Sequence, residues 1–172
     1  MAEPESKFGL VDSSLLEKID KLFACNAGSY VDLPQLVVVG NQSSGKSSVL
    51  AALTDLPSPR DSGLCTRFAT QIIFRRAPTS VTKVSIIPSK DSSSEHQRQM
   101  QEWFKETNTD FDVTYFAGIM TEAAEAMGLG KAEGGTSRAF SKDVFVIEIT
   151  GPNQEHFSII DVPGTFVAPQ MA

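Results

Sequence analysis

Residues 36–48 read Leu-Val-Val-Val-Gly-Asn-Gln-Ser-Ser-Gly-Lys-Ser-Ser, and no other stretch restricts the possible fold as tightly. An apolar run ends at Gly40, the loop fits G-x-x-x-x-G-K-[ST], and Val49-Leu50-Ala51-Ala52-Leu53 resumes in helix-forming residues. Strand, loop and helix in that order make a P-loop. Gly40 and Gly45 let the backbone turn inward, so the N–H groups of Asn41, Gln42, Ser43 and Ser44 can point at phosphate oxygens. The helix that opens near Lys46 adds its positive dipole end to that cradle. Lys46 supplies a mobile ammonium for the β- and γ-phosphates. The Ser47 hydroxyl is placed to ligate Mg²⁺, with Ser48 following it in the first turn.

Composition sets the frame for this motif. A chain of 172 residues is about one domain, and its 41% hydrophobic and 21% charged content is that of an ordinary globular protein. Fifteen basic residues against twenty-one acidic ones leave a net charge of −6, which argues against nucleic acid as a partner. No apolar run approaches ~18 residues, so no span of a bilayer is expected. Met-Ala-Glu-Pro-Glu-Ser-Lys at the start has neither the basic nor the apolar region of a secretory leader. Cys25 and Cys65 lack metal-ligand spacing and read as reduced thiols. The expected location is cytoplasmic, or peripheral to membranes through a local patch.

Ahead of the P-loop, residues 1–11 read as a disordered start. Residues 12–30 hold an amphipathic helix, with a Ser14–Glu17 capping box, apolar Leu15, Leu16, Ile19, Leu22 and Phe23, and Gly28 as a stop. That helix either packs on its own domain or docks on a separate helical bundle. Residues 31–172 form the nucleotide-binding unit. Leu36–Val39 carries β-branched residues on both faces, as a buried parallel strand does. Leu56-Pro57-Ser58-Pro59-Arg60-Asp61-Ser62-Gly63 holds neither helix nor strand. Strands are expected at Thr70–Phe74 and Val81–Ile87, joined through Arg75–Ser80. A Ser92–Glu95 capping box predicts a helix to about Glu106. A second helix from about Asp112 to Met127 carries the stripe Tyr115, Phe116, Ile119, Ala123 and Met127. Gly128-Leu129-Gly130-Lys131-Ala132-Glu133-Gly134-Gly135 has no strand before it and reads as a flexible loop. Val144–Ile149 and Phe157–Ile160 read as a hairpin across Gly151-Pro152-Asn153. Asn41-Gln42-Ser43 matches a glycosylation triplet but lies inside the phosphate loop, where that reading is discarded.

Two further features converge on the phosphate. Asp161-Val162-Pro163-Gly164 follows an apolar strand, the D-x-x-G arrangement in which the Asp orders the Mg²⁺ shell and the Gly N–H senses the γ-phosphate. Thr66 lies in the irregular stretch between the P-loop helix and the next strand. A threonine there can bind Mg²⁺ and hold the attacking water.

Taken together, Leu33-Pro34-Gln35 leading into the P-loop, Gln42-Ser43-Ser44-Gly45-Lys46-Ser47-Ser48, Pro59-Arg60 through Thr66-Arg67, and Asp161-Val162-Pro163-Gly164 resemble the dynamin superfamily of large GTPases. The resemblance runs from about residue 10 to about residue 165. It implies a three-layer α/β/α P-loop NTPase fold, a dynamin-type G domain cut short and preceded by an amphipathic helix that signals to a stalk. It further implies that Lys46, Ser47 and the loop amides bind GTP or GDP, with Ser47, Thr66 and Asp161 serving Mg²⁺. Gln42, Thr66 and Gly164 would position the hydrolytic water. Ser43 would help hold a monovalent cation, Na⁺ or K⁺, in place of an arginine finger. Self-association through the G domain is implied, with membrane or cytoskeletal contact left to regions outside these residues.

Two departures from the family pattern accompany it. Asp61 stands where many relatives carry Gly, and no guanine-reading [TN]-K-x-D follows Gly164. Ser141-Lys142-Asp143-Val144 does not fit that tetrapeptide. The chain therefore reads as the N-terminal half of a GTPase domain. A catalytically incompetent interaction fragment and an ATP-using P-loop protein remain as alternatives. The partner strand expected on the outer side of Leu36–Val39 is not encoded, so an unpaired, aggregation-prone edge is expected there.

Overall fold

The computed structural model describes residues 18, 35–41, 44–54, 56, 67–107, 112–129, 138–152, 154 and 156–164. The expected N-terminal helix other than Lys18, both cysteines, and Gln42, Ser43 and Thr66 lie outside the described residues. In chain order the elements are β1 (Gln35–Val38), α1 (Lys46–Thr54), β2 (Ala69–Arg76), β3 (Val81–Ile87), α2 (Ser94–Glu102), β4 (Phe104–Thr107), α3 (Val113–Ala126), β5 (Val144–Gly151) and β6 (Phe157–Asp161). The strands form one six-stranded sheet in the order β1-β6-β2-β5-β3-β4. β1 runs parallel to β6 and β2 parallel to β5, whereas the β2–β6, β3–β5 and β3–β4 pairs are antiparallel. This is the mixed α/β architecture that the sequence predicts around its P-loop.

The core follows from strand periodicity. Register pairs Ile72 with Ile147 and Ile159, and Phe74 with Phe157. Side chains of paired residues share a face. On that face Ile72, Phe74, Val84, Ile86, Phe145 and Ile147 pack with Met100 of α2 and with Phe116, Ile119 and Ala123 of α3. Leu50 of α1 packs against the same cluster. Phe74 stacks on Phe157 at 4.7 Å between ring centroids. The opposite face is more polar among the described residues, with Arg75 pairing Glu148 at 2.8 Å.

Helix α3 shows why these residues choose their element. The Asp112 side chain accepts from the Tyr115 amide at 2.7 Å, satisfying a donor that the first turn leaves open. At the other end Gly128 adopts φ 77°, and the Leu129 amide reaches back to the Ala124 carbonyl at 2.8 Å. A left-handed glycine closing the last turn in this way is a common helix stop.

Several expectations are corrected. The residues expected to form a hairpin, Val144–Ile149 and Phe157–Ile160, do not pair with each other, because β2 lies between them. Five residues separate β5 from β6. They cross one intervening strand, roughly 10 Å at the usual strand spacing, and β2 satisfies both ladders while burying Ile72 and Phe74. The helix expected to run to about Glu106 stops at Glu102, and Phe104–Thr107 becomes the edge strand β4. Only Met100 in that helix is buried, and Glu106 lies in register with Lys83 at 3.6 Å, so pairing to β3 wins over another helical turn. Its cap is Ser93, not Ser92; the Ser92 hydroxyl instead donates to the Ser89 carbonyl at 2.7 Å. Tyr115 leaves the buried stripe and is 40% exposed, since it sits about 80° round the helix from Ala123. β1 is parallel as expected but not buried: Leu36 and Val37 are 49% and 55% exposed, and Val39, just past its end, is 72% exposed. Among the described residues β1 is the terminal strand, with β6 as its one partner. That agrees with the unpaired edge anticipated for it.

Candidate functional site

The sheet brings the start of the phosphate loop and Asp161 to one end. Register places Val38 beside Asp161 and Asp161 beside Thr70. The C-terminal ends of β1 and β6 and the start of β2 therefore lie together. From them emerge the phosphate loop after β1, the Val162–Gly164 stretch after β6, and Arg67 with Phe68 ahead of β2. Ligands of open α/β sheets bind outside the carboxyl ends of parallel strands, the position this loop occupies.

The described residues of the loop, Gly40, Asn41 and Ser44 to Ser48, show why the motif places glycine and lysine where it does. Gly45 adopts φ 89°, which strains any residue bearing a Cβ. At Gly40 (φ +156°) an added Cβ would lie 2.9 Å from Ser44 Oγ, which would have to rotate away. The Ser44 amide donates to the Asn41 carbonyl at 3.3 Å. Helix α1 begins at Lys46, with the amides of Ser48 and Val49 both donating to the Gly45 carbonyl at 3.0 Å. Lys46 Nζ curls over the loop and donates to the carbonyls of Gly40 at 3.0 Å and Asn41 at 2.9 Å. Its ammonium thus stands over the loop instead of extending into solvent. Ser47 and Ser48 are exposed in the first turn of α1.

Asp161 is buried at the end of β6, and Gly164 is partly buried three positions on. The donor types fit a small hard cation. The Ser47 hydroxyl and the Asp161 carboxylate offer oxygen donors of the kind that suit the magnesium of a nucleotide. Gln42, Ser43 and Thr66 lie outside the described residues, so the water-positioning roles and the monovalent-cation role stay expectations.

Two groups at this end of the sheet escaped the sequence reading. Arg67 is the first: its Nε, Nη1 and Nη2 donate to the carbonyls of Ala139 (3.0 Å), Leu129 (2.9 Å) and Arg138 (2.6 Å). The second is Asp143. Its carboxylate accepts from the Ser89 amide at 2.8 Å, the Ser141 hydroxyl at 2.8 Å and His96 Nε2 at 2.9 Å. An ionised carboxylate accepts only, so His96 carries its proton on Nε2. Burial pushes the Asp143 carboxyl up. The Ser89 amide, the Ser141 hydroxyl and His96 together outweigh that and hold it below the usual carboxylate range. Arg67 stood inside the Thr66-Arg67 motif, but its partners lie 62 to 72 positions away, and no local pattern encodes them. Asp143 stands in a tetrapeptide that does not fit the base-reading motif, and its partner His96 carries no sequence signal of its own.

Sheet, loop and buried carboxylate define a P-loop nucleotide-binding α/β domain. Comparison with known proteins narrows the class. A family model described as "Dynamin family" matches residues 36–171. Interferon-induced GTP-binding protein MxB of Danio rerio is 31% identical over 150 residues, covering 87% of this chain and 21% of that protein. Interferon-induced GTP-binding protein Mx2 of Homo sapiens is 29% identical over 149 residues, covering 87% of this chain and 18% of that protein. The chain belongs to the dynamin family. It spans about a fifth of the length of these curated relatives.

Proposed function

We propose that the chain binds GTP and GDP with Mg²⁺ and carries the phosphate-binding half of a dynamin-type GTPase that cleaves the γ-phosphate. The observation that carries this reading is the register of Val38 with Asp161, which sets the D-x-x-G aspartate beside the strand that feeds the phosphate loop. The names of MxB and Mx2 describe those proteins as GTP-binding, and the guanine preference rests on that kinship.

In this reading the loop amides between Gly40 and Ser48 donate to phosphate oxygens. Lys46 swings from the Gly40 and Asn41 carbonyls onto the β/γ-bridging region, exchanging two neutral acceptors for charged ones. Ser47 and Asp161, with Thr66, would hold Mg²⁺, which when bound would supply charge compensation for the phosphates. Gln42 and Thr66 orient the attacking water, and the Gly164 amide senses the γ-phosphate. Ser43 would help hold a charge-compensating monovalent cation, Na⁺ or K⁺. Positioning and charge compensation of this kind account for most catalysis of phosphoryl transfer. Residues 12–30, read from the sequence as an amphipathic helix, would pass nucleotide state to a stalk, and self-association through the G domain belongs to the same reading. Coupling of hydrolysis to membrane remodelling or organelle division belongs to the same reading, through regions beyond these residues.

Single-turnover hydrolysis of γ-labelled GTP by the purified chain tests the reading. Release of phosphate that requires Mg²⁺ and rises with added K⁺ or Na⁺ is the expected result. Tight GTP binding with no release under any of these conditions would contradict the catalytic part and leave a nucleotide-binding interaction module.

A further inference from the structure

An arginine next to the threonine expected to hold the hydrolytic water could act as a finger on the phosphates. The geometry assigns it another task. Three of its guanidinium donors are committed to the backbone carbonyls of Leu129, Arg138 and Ala139. Its own carbonyl accepts from the Ser141 amide at 3.0 Å. One residue thus ties Leu129, Arg138, Ala139 and Ser141 to the chain just ahead of β2. The next residue, Phe68, is buried edge-on against Phe145 of β5, with ring centroids 5.8 Å apart. Two positions further, Thr70 lies in register with Asp161. The covalent base of the segment bearing Thr66 is therefore held by a fork of hydrogen bonds, a buried ring and a strand register.

We propose that Arg67 is a positioning residue for hydrolysis. By gripping the carbonyls on both sides of residues 130–137, it fixes the point from which Thr66 is presented to the water and the γ-phosphate, and it contributes nothing directly to nucleotide binding. Only arginine suits the task. Its planar fork directs several N–H groups at separated acceptors, whereas lysine offers a single point charge on a flexible stem. Reacting groups displaced by ~1 Å can lose ~10²-fold in rate, so a loosened base should show in turnover first. The inference rests on the GTPase reading above and deepens it.

The test compares Arg67→Ala and Arg67→Lys with the wild-type chain. Readouts are the dissociation constant for a fluorescent GTP analogue, the single-turnover hydrolysis rate, and the melting temperature with GDP bound. Both variants should hydrolyse at least about tenfold more slowly, with less than about a threefold change in affinity. Arg67→Lys, which keeps charge and stem, should melt close to wild type and carries the test if Arg67→Ala fails to fold. An unchanged hydrolysis rate in Arg67→Lys would overturn the proposal, because the fork would then be dispensable. Affinity falling in step with the rate would overturn it too and make Arg67 a nucleotide ligand. A wild-type chain inert toward GTP would overturn the GTPase reading and this inference together, whereas active wild type with unaffected variants removes this inference alone.

Discussion

Removing the Asp143 carboxylate should destabilise the fold by a calculable amount and change how stability depends on pH. The side chain is only 4% exposed and gathers three donors from separate elements: the Ser89 amide after β3, His96 in α2, and Ser141 ahead of β5. Asp143→Ala leaves all three without their acceptor. Each donor left without its acceptor costs ~1–3 kcal/mol. Water can reach His96, whose side chain is 23% exposed, so the lower end applies. We expect a loss of about 3 kcal/mol at pH 7, a large share of the ~5–15 kcal/mol that stabilises a typical domain. Asp143→Asn keeps one acceptor oxygen and should lose about half as much.

The pH dependence follows from the depressed pKa of Asp143. Its folded value lies below the ordinary unfolded value, so the unfolded chain binds the extra proton in the interval between them. The stabilisation is complete above the unfolded pKa of about 3.9 and disappears as pH falls through the folded value. The stability gap between wild type and Asp143→Asn should therefore narrow from about pH 5 downward. Urea unfolding at a series of pH values, followed by the fluorescence of Trp103, measures this directly. Trp103 is the only tryptophan, and its ring lies 6.2 Å from that of Phe145, inside the core that must open. A gap that stays constant from pH 7 to pH 3 would refute the role given to the carboxylate, as would an Asp143→Ala loss below about 1 kcal/mol.

Lys46→Ala should abolish nucleotide binding, since it removes the ammonium placed over the loop at the Gly40 and Asn41 carbonyls; an unchanged affinity for a fluorescent GTP analogue would refute the P-loop assignment. Thr66→Ala should leave binding nearly intact and lower single-turnover hydrolysis by ~10²-fold or more; equal losses in both would make Thr66 structural. The exposed β1 edge, with Leu36 and Val37 on it and Val39 just past its end, should drive the isolated chain to self-associate, and Val37→Lys should reduce this in sedimentation velocity because a charged edge resists pairing. A wild-type chain that sediments as a monomer would contradict the edge argument.

What the sequence made legible was local. The phosphate loop, the D-x-x-G stretch and most strands were readable, because glycine placement and short apolar runs encode them directly. The end of α3 near Met127 was legible as well. Strand order was not: nothing in Val144–Gly151 or Phe157–Asp161 announces that β2 will insert between them, since pairing is decided by which strand can bury Ile72 and Phe74. The end of α2 was misread because Phe104-Lys105-Glu106-Thr107 suits a helix surface as well as an edge strand, and the free edge of β3 settles the choice. Arg67 and Asp143 were missed for a related reason. Most of their partners are main-chain carbonyls and amides, which carry no residue identity and are brought near only by the finished sheet.

The central claim, that this loop and Asp161 form a guanine-nucleotide and Mg²⁺ site, is tested most directly by competition binding. A fluorescent GTP analogue bound to the purified chain in Mg²⁺ would be displaced in turn by GTP and by ATP. The account predicts displacement by GTP far below the concentration at which ATP acts, and loss of analogue binding in Lys46→Ala. Displacement by ATP as readily as by GTP, or binding that survives Lys46→Ala, would contradict it.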